Sequence, residues 1–183
     1  MKTFPVLETD RLILRRITTE DEADIFAIFS NPEVTRYYDL DTFTDPAQAK
    51  ELIERHETQF EKGAGIRWGI MLKGSPRLIG TGGAGWQRWN YSAVLGYELA
   101  REFWSQGIMT EAVRAIASYA FTTMGMNRVQ ATIETENAAS ARVLRKVGFQ
   151  EEGILREWGF WKGSFRDVRC FSLLRKDSGN AGK

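Results

Sequence analysis

Between residues 67 and 99 the chain passes through three strand-like segments, 67–72, 78–86 and 92–99. Only the turns Lys73-Gly74-Ser75-Pro76 and Trp89-Asn90-Tyr91 separate them. Connections this short admit only antiparallel neighbours, because a parallel return needs a crossover of a dozen or more residues. A meander therefore occupies the middle of the chain. The period then changes. Residues 110–123 repeat Val113, Ile116, Ala117 and Ala120 at helical spacing, residues 128–133 read as a strand, and residues 137–147 are helical again through Ala141, Leu144 and Val147. Residues 149–158 and 166–173 close a hairpin around Lys162-Gly163-Ser164. The expected class is α/β, a mixed and mostly antiparallel central sheet of about seven strands flanked by helices.

The N-terminal part completes the layers. Arg11-Leu12-Ile13-Leu14-Arg15-Arg16-Ile17 alternates as a half-buried opening strand. Thr18-Thr19-Glu20-Asp21 supplies capping oxygens for a first helix carrying Ile25, Phe26, Ile28 and Phe29, and Asn31-Pro32 is expected to stop it. Asp45-Pro46-Ala47-Gln48 reads as a cap, a first-turn proline and a capping-box glutamine for a second helix. Its apolar face holds Ala49, Leu52, Ile53, His56 and Phe60, so His56, the only histidine, is expected to pack there rather than catalyse.

The 183 residues contain no Pro/Gly/Ser-rich linker, which points to one domain over 7–175 with a short polar, flexible tail at 176–183. Twenty-five basic against 24 acidic residues leave +1, so no broad field favours nucleic acid or an anionic membrane, and any anion site has to be local. Cys170 stands alone and cannot form an internal disulfide, which fits a reducing, cytoplasmic setting. It is expected to sit in the last strand as a small hydrophobe. No basic stretch followed by an apolar run opens the chain, and no run of about eighteen apolar residues occurs in it.

Two glycine-containing segments resemble anion sites. Gly80-Thr81-Gly82-Gly83-Ala84-Gly85 satisfies the GxGxxG pattern, but Trp86-Gln87-Arg88-Trp89-Asn90 follows without helical period, so no helix N-terminus meets a pyrophosphate. A strand that lacks side chains because of a bulge or a close neighbour explains it better. Trp104-Ser105-Gln106-Gly107-Ile108-Met109-Thr110-Glu111 instead runs from a strand end into an amphipathic helix. Successive amides there, joined to the helix dipole, form an anion cradle that needs no lysine. Gly107 permits close backbone approach, and Thr110 is expected to cap the helix; a simple strand-to-helix turn remains the alternative.

From Leu7 to Leu174 the chain resembles the RimJ/RimL-type branch of the GCN5-related N-acetyltransferase (GNAT) superfamily. The resemblance rests on Leu7-Glu8-Thr9-Asp10-Arg11-Leu12-Ile13-Leu14-Arg15 and on Gly96-Tyr97-Glu98-Leu99 followed by the 104–112 loop and helix start. Asn137-Ala138-Ala139-Ser140-Ala141-Arg142-Val143-Leu144-Arg145-Lys146-Val147-Gly148-Phe149 is the third piece. Trp104 stands where the superfamily usually has Gln or Arg, and Met109 where it has Gly or Ala; the long Met109 side chain is expected to narrow the diphosphate pocket. The resemblance implies a fourth strand splayed from the fifth and acetyl-CoA as donor, with no metal. Tyr97 and Leu99 would offer backbone groups to the pantetheine arm. Trp104, Ser105, Gln106, Gly107, Ile108, Met109 and Thr110 would form the pyrophosphate loop, and Asn137 and Ser140 would complete the coenzyme site. For Asn137 a plain helix N-cap is the competing role.

A thioester is already activated, so catalysis reduces to aligning a neutral amine and stabilising an oxyanion. Glu98 is the candidate base, directly or through water, against pairing with a neighbour such as Arg101. By the same resemblance Ser140 is the candidate hydroxyl to protonate or hydrogen bond the departing thiolate, against simple solvation of a first helical turn. Tyr37-Tyr38, the second helix and Trp158 and Trp161 of the closing hairpin are expected to build the acceptor groove. The branch resemblance implies a protein N-terminal α-amine as acceptor, on a ribosomal or other protein. A small amine or antibiotic acetyltransferase and a coenzyme-sensing domain without turnover stay open, as do monomer and homodimer.

Overall fold

The computed structural model describes residues 3–180, the side chains of 87, 88, 179 and 180 excepted; the last three residues of the polar tail, 181–183, lie outside the described residues. The described strands form one sheet of eight: β1 (Leu7–Glu8), β2 (Leu12–Arg16), β3 (Gly65–Leu72), β4 (Leu78–Gln87), β5 (Ser92–Leu99), β6 (Arg128–Glu134), β7 (Gln150–Trp161) and β8 (Ser164–Leu174). Their order is β1-β2-β3-β4-β5-β6-β8-β7, and β5 with β6 is the parallel pair. The expected count of about seven falls one short because Leu7 and Glu8, opposite Leu14 and Ile13, add a strand too short to show a period.

The helices are α1 (Glu22–Phe29), α2 (Pro32–Thr35), α3 (Ala47–Glu61), α4 (Ile108–Thr122) and α5 (Ala138–Val147). Asn31-Pro32 ends α1 but also starts α2. The Asn31 side chain accepts the Glu33 amide at 2.9 Å, and Pro32 occupies a first-turn position where a missing N–H costs nothing. At α3 the expected box is only half formed, because Pro46 and not Asp45 is the N-cap and the Gln48 amide goes to the Asp45 carbonyl. Asp45 accepts the Ala47 amide, and Gln48 Oε1 accepts the amides of Thr44 and Asp45 at 2.8 and 2.9 Å.

The pleat of the sheet assigns its two faces. Ile66, Trp68 and Ile70 of β3, Ala93, Leu95 and Leu99 of β5, and Val129 and Ala131 of β6 join α4 and α5 in the larger core. Trp68 is fully buried at its centre, edge-on to Tyr119, with its indole N–H on the Pro5 carbonyl at 2.9 Å. The opposite face packs α1 and α3 through Ile25, Ile28, Phe29, Leu52 and Ile53.

The glycine-rich run is strand β4, followed by a single 3-10 turn at Arg88–Asn90 and not by an α-helix. A Cβ at Gly83 would collide with the Ile66 carbonyl, and one at Gly82 would lie 2.8 Å from the Ile116 side chain. Small residues here let β3 and α4 approach closely.

Candidate active site

The β5–β6 ladder is short. Ser92, Ala93 and Val94 pair with Arg128, Val129 and Gln130, and beyond Val94 the strands separate. These are the fourth and fifth strands of the expected splay once the two-residue β1 is set aside. The Ala100 amide donates to the Ile79 carbonyl at 2.8 Å, so even-numbered residues of β5 point their backbone groups at β4. The odd positions Tyr97 and Leu99, beyond the end of the ladder, therefore turn theirs into the gap, where no strand receives them.

At the end of β5 one of those groups already has a partner. Trp104 Nε1 donates to the Leu99 carbonyl at 2.7 Å while the Arg101 guanidinium lies 4.7 Å over the indole ring. Trp104 thus closes back on the strand and leaves the Leu99 N–H and the Tyr97 pair for a ligand. Tyr97 sends its hydroxyl to the Ser140 carbonyl at 3.4 Å, and burial chiefly pushes its phenol up to about 12. Asn137 caps α5 by accepting the Ser140 amide at 3.1 Å, which brings Ser140, half-buried, to the same end of the gap.

The loop into α4 has the cradle geometry. Ser105 and Gly107 are both left-handed, at φ 63° and 77°, and Ser105, Gln106 and Gly107 are exposed. Gly107, not Thr110, is the N-cap of α4, and Thr110 lies buried in the first turn without a capping bond. A Cβ at Gly107 would stand 3.6 Å from Arg11 Nη2. Ile108 and Met109 are 2% and 6% exposed and belong to the core, so the Met109 side chain turns away from the cradle and does not narrow it.

Arg11 was not singled out as a site residue by sequence, because its partners lie about a hundred residues away. Its Nη1 donates to the Gln106 carbonyl at 3.1 Å, and its Nε pairs with Glu111 at 2.7 Å. Thr9 and the Arg11 amide also donate to Glu111. Burial alone would raise this carboxyl, but those donors outweigh it and hold it below its ordinary value. The opening strand is thereby bolted to the loop at the start of α4, with a guanidinium beside it.

On the other face of the sheet lies a cleft of about 660 Å³. Its walls are Tyr37, Tyr38 and Asp39 after α2, Arg55, His56 and Gln59 of α3, and Trp158 and Trp161 of the hairpin. Its floor includes Leu95 and Gly96 from β5 and Thr132 and Glu134 from β6, so it spans the splay. Lys162 Nζ donates to the Thr35 carbonyl at 2.6 Å and ties the hairpin tip to α2. His56 is half-buried in this wall, not sunk in the core. Burial and then the charges of Arg67 and Arg55 lower its pKa to about 3, so it stays neutral.

Glu98 is 5% exposed and does not line the cleft. Its partner is Arg67 of β3, not Arg101, which pairs with Glu33. Thr81 also donates to its Oε2 at 2.5 Å, and the Tyr38 hydroxyl faces the same carboxylate. Burial disfavours the Arg67 charge, yet Glu98 raises its pKa well above the ordinary value, so Arg67 stays charged.

An open gap with unpaired strand groups, an amide-rich loop at a helix start and an acceptor-sized cleft on the far face fit a long thioester donor. The family model of the acetyltransferase (GNAT) domain matches residues 11–150. The chain belongs to the GNAT acetyltransferases. This GNAT protein is 42% identical over 173 residues to the uncharacterized N-acetyltransferase YoaA of Bacillus subtilis, covering 94% of this chain and 98% of that one. The uncharacterized N-acetyltransferase p20 of Bacillus licheniformis is 37% identical, over 93% and 97% of the two chains. Among solved structures, Mycobacterium smegmatis RimJ in complex with CoA-disulfide superposes with a TM-score of 0.84 at 21% identity, over 97% and 91% of the chains, which speaks to the fold. The protein is an acetyl-CoA-dependent N-acetyltransferase. Among the described residues no helix is long and apolar enough to cross a membrane.

Proposed function

We propose that this GNAT protein acetylates the α-amine of a protein N-terminus in the manner of RimJ and RimL, in the cytoplasm. The observation that carries the reading is the cleft on the face opposite α4 and α5. It meets the gap at the splay, so donor and acceptor arrive from opposite sides of the sheet. A volume of about 660 Å³ walled by four aromatic residues suits the first few residues of an extended chain. An α-amine, with pKa about 7.7–8.0, is partly neutral without help and needs only a modest base.

In this reading the free backbone groups of Tyr97 and Leu99 hold the pantetheine arm, and the amides of 105–110 bind the pyrophosphate with Arg11 beside them. Asn137 orders the start of α5. Ser140 donates a proton to the departing thiolate, next to a Tyr97 phenol that stays protonated at neutral pH. Glu98 lies beneath the cleft floor and contributes by holding Arg67 and Tyr38; an amine proton reaches it only through a hydroxyl or water. A small amine is the second reading, favoured by Asp39 and Glu134, two carboxylates in the aromatic cleft that also suit a compact polycation.

The test is thiol release from acetyl-CoA against N-terminal peptides, polyamines and aminoglycosides, with coenzyme binding followed in parallel. Turnover with a defined peptide sequence is the expected result. Turnover with small amines alone would replace the first reading by the second, and tight binding with no turnover at all would refute both.

A further inference from the structure

The second arm of the splay carries a carboxylate that the sequence reading passed over. If the parallel ladder continued beyond Val94 and Gln130, the register of one residue per residue would set Glu98 opposite Glu134. Both project to the cleft face of the sheet, one from each arm of the gap. Their surroundings differ. Arg67 and Thr81 both hold Glu98 by Oε2, and its Oε1 is buried away from the cleft, whereas Glu134 lines the cleft itself. Glu134 is only 6% exposed, so burial shields it from bulk water.

The two oxygens of Glu134 are also unequal. Oε1 accepts the indole N–H of Trp161 at 2.9 Å, which locks the side chain in place. Oε2 stands 4.0 Å from Arg166 Nη1, beyond hydrogen-bond range, and so keeps a lone pair for another donor. A carboxylate held by one oxygen and open at the other, at the edge of the gap through which a thioester carbonyl is presented, is placed to take a proton from an attacking amine. We infer that Glu134 is the general base of this acetyltransferase and that Trp161 is its positioning residue.

This rests on the amine-acetylation reading above. The nitrogen lone pair forms the C–N bond to the thioester carbon as the carbonyl π pair moves to oxygen. Glu134 Oε2 takes the ammonium proton, the C–S bond then breaks with its pair to sulfur, and the thiolate gains a proton from Ser140 or water. That donor is made good through solvent by the proton that Glu134 gives up. The products are one acetamide and one free thiol. The charged groups around the cleft are Arg166 of β8, the Arg67–Glu98 pair of β3 and β5, Arg55 of α3 and Asp39; His56 is neutral. No lysine among the cleft-lining residues competes for the open oxygen of Glu134.

The experiment compares pH–rate profiles of wild type, Glu134→Gln, Glu98→Gln and Trp161→Phe, with acetyl-CoA Kd and thermal melts for each. Glu134→Gln should lower kcat/KM at neutral pH by about 100-fold or more. It should leave the coenzyme Kd unchanged and lose less as pH rises through the ionisation of the amine itself. Trp161→Phe should give a smaller loss of the same shape. If Glu134→Gln fails to fold, Glu134→Asp, which keeps the charge but withdraws it by one methylene, should show the same profile. A Glu134→Gln protein with the wild-type rate and profile, or a Glu98→Gln protein that alone loses the base-dependent rise of rate with pH, would overturn the assignment. Absence of turnover by the wild type with every amine would instead bring down the acceptor reading and this assignment together.

Discussion

Replacing Gly107 with alanine separates the two things the cradle does. Gly107 sits at φ 77°, where a Cβ costs about 1–2 kcal/mol through local clash with its own backbone. The neighbourhood adds little, because the new methyl would meet only Arg11 Nη2 at 3.6 Å, an ordinary contact. The fold should therefore lose about 1–2 kcal/mol, a fall in Tm of roughly 2–8 °C for a domain of this size. If the loop relieves the strain by rotating, at least one amide leaves the pyrophosphate. A hydrogen bond to a charged group contributes about 1.5–3 kcal/mol, so the coenzyme Kd should rise roughly 10- to 150-fold. Differential scanning fluorimetry with and without CoA, alongside calorimetric titration, reads both effects. Ser105→Gly is the control: at φ 63° the glycine relieves strain, and binding should hold. A Gly107→Ala protein that binds CoA as tightly as wild type would refute the cradle.

Four further outcomes are expected. Ser140→Ala should reduce kcat while leaving the acetyl-CoA Kd within about twofold in a titration, because its amide, and not its hydroxyl, holds the Asn137 cap. Glu98→Ala leaves the Arg67 charge buried and unpaired and should cost about 3–5 kcal/mol in chemical denaturation, far more than loss of Arg101 from its exposed pair with Glu33. Asp21 is held below its ordinary pKa of 3.8; burial opposes this, but the Arg15 bond and the Thr18 amide prevail. Its stabilisation is therefore present above pH 3.8 and lost as pH falls through the lower folded value, so Asp21→Asn should be less stable at neutral pH and show a flatter acid limb in melts. Asp167→Ala removes the acceptor of the Glu157 amide, 2.8 Å away, in the bulge that carries Trp158 to the cleft. It should raise the acceptor KM without changing coenzyme affinity.

Much of this architecture was readable because short-range signals and long-range packing agree. The meander follows from turn lengths, α5 from Asn137 at one end and Gly148, at φ 109°, at the other, and the cradle from a glycine between a strand and an amphipathic helix. What escaped depends on partners far apart in the chain. Glu98 and Arg67 are 31 residues apart, Arg11 and Glu111 a hundred, and nothing local announces either pair. Met109 was misjudged because its side-chain direction follows from the register of α4, which begins at Ile108 rather than Thr110. Glu134 was hidden by its place at the end of an ordinary strand. Only the point at which the β5–β6 ladder stops makes that position distinctive.

The three-residue ladder between β5 and β6 also bears on how long the protein survives in a cell. A sheet whose two halves share so few bonds lacks a splint along most of their boundary, and a donor arm bound as proposed would supply one. Any ligand that binds only the folded chain adds stability in proportion to the logarithm of its concentration, about 2.7 kcal/mol at a hundred times its Kd. On the proposed coenzyme site, the chain should therefore resist added protease better with acetyl-CoA present than without it, and the difference should grow with coenzyme concentration.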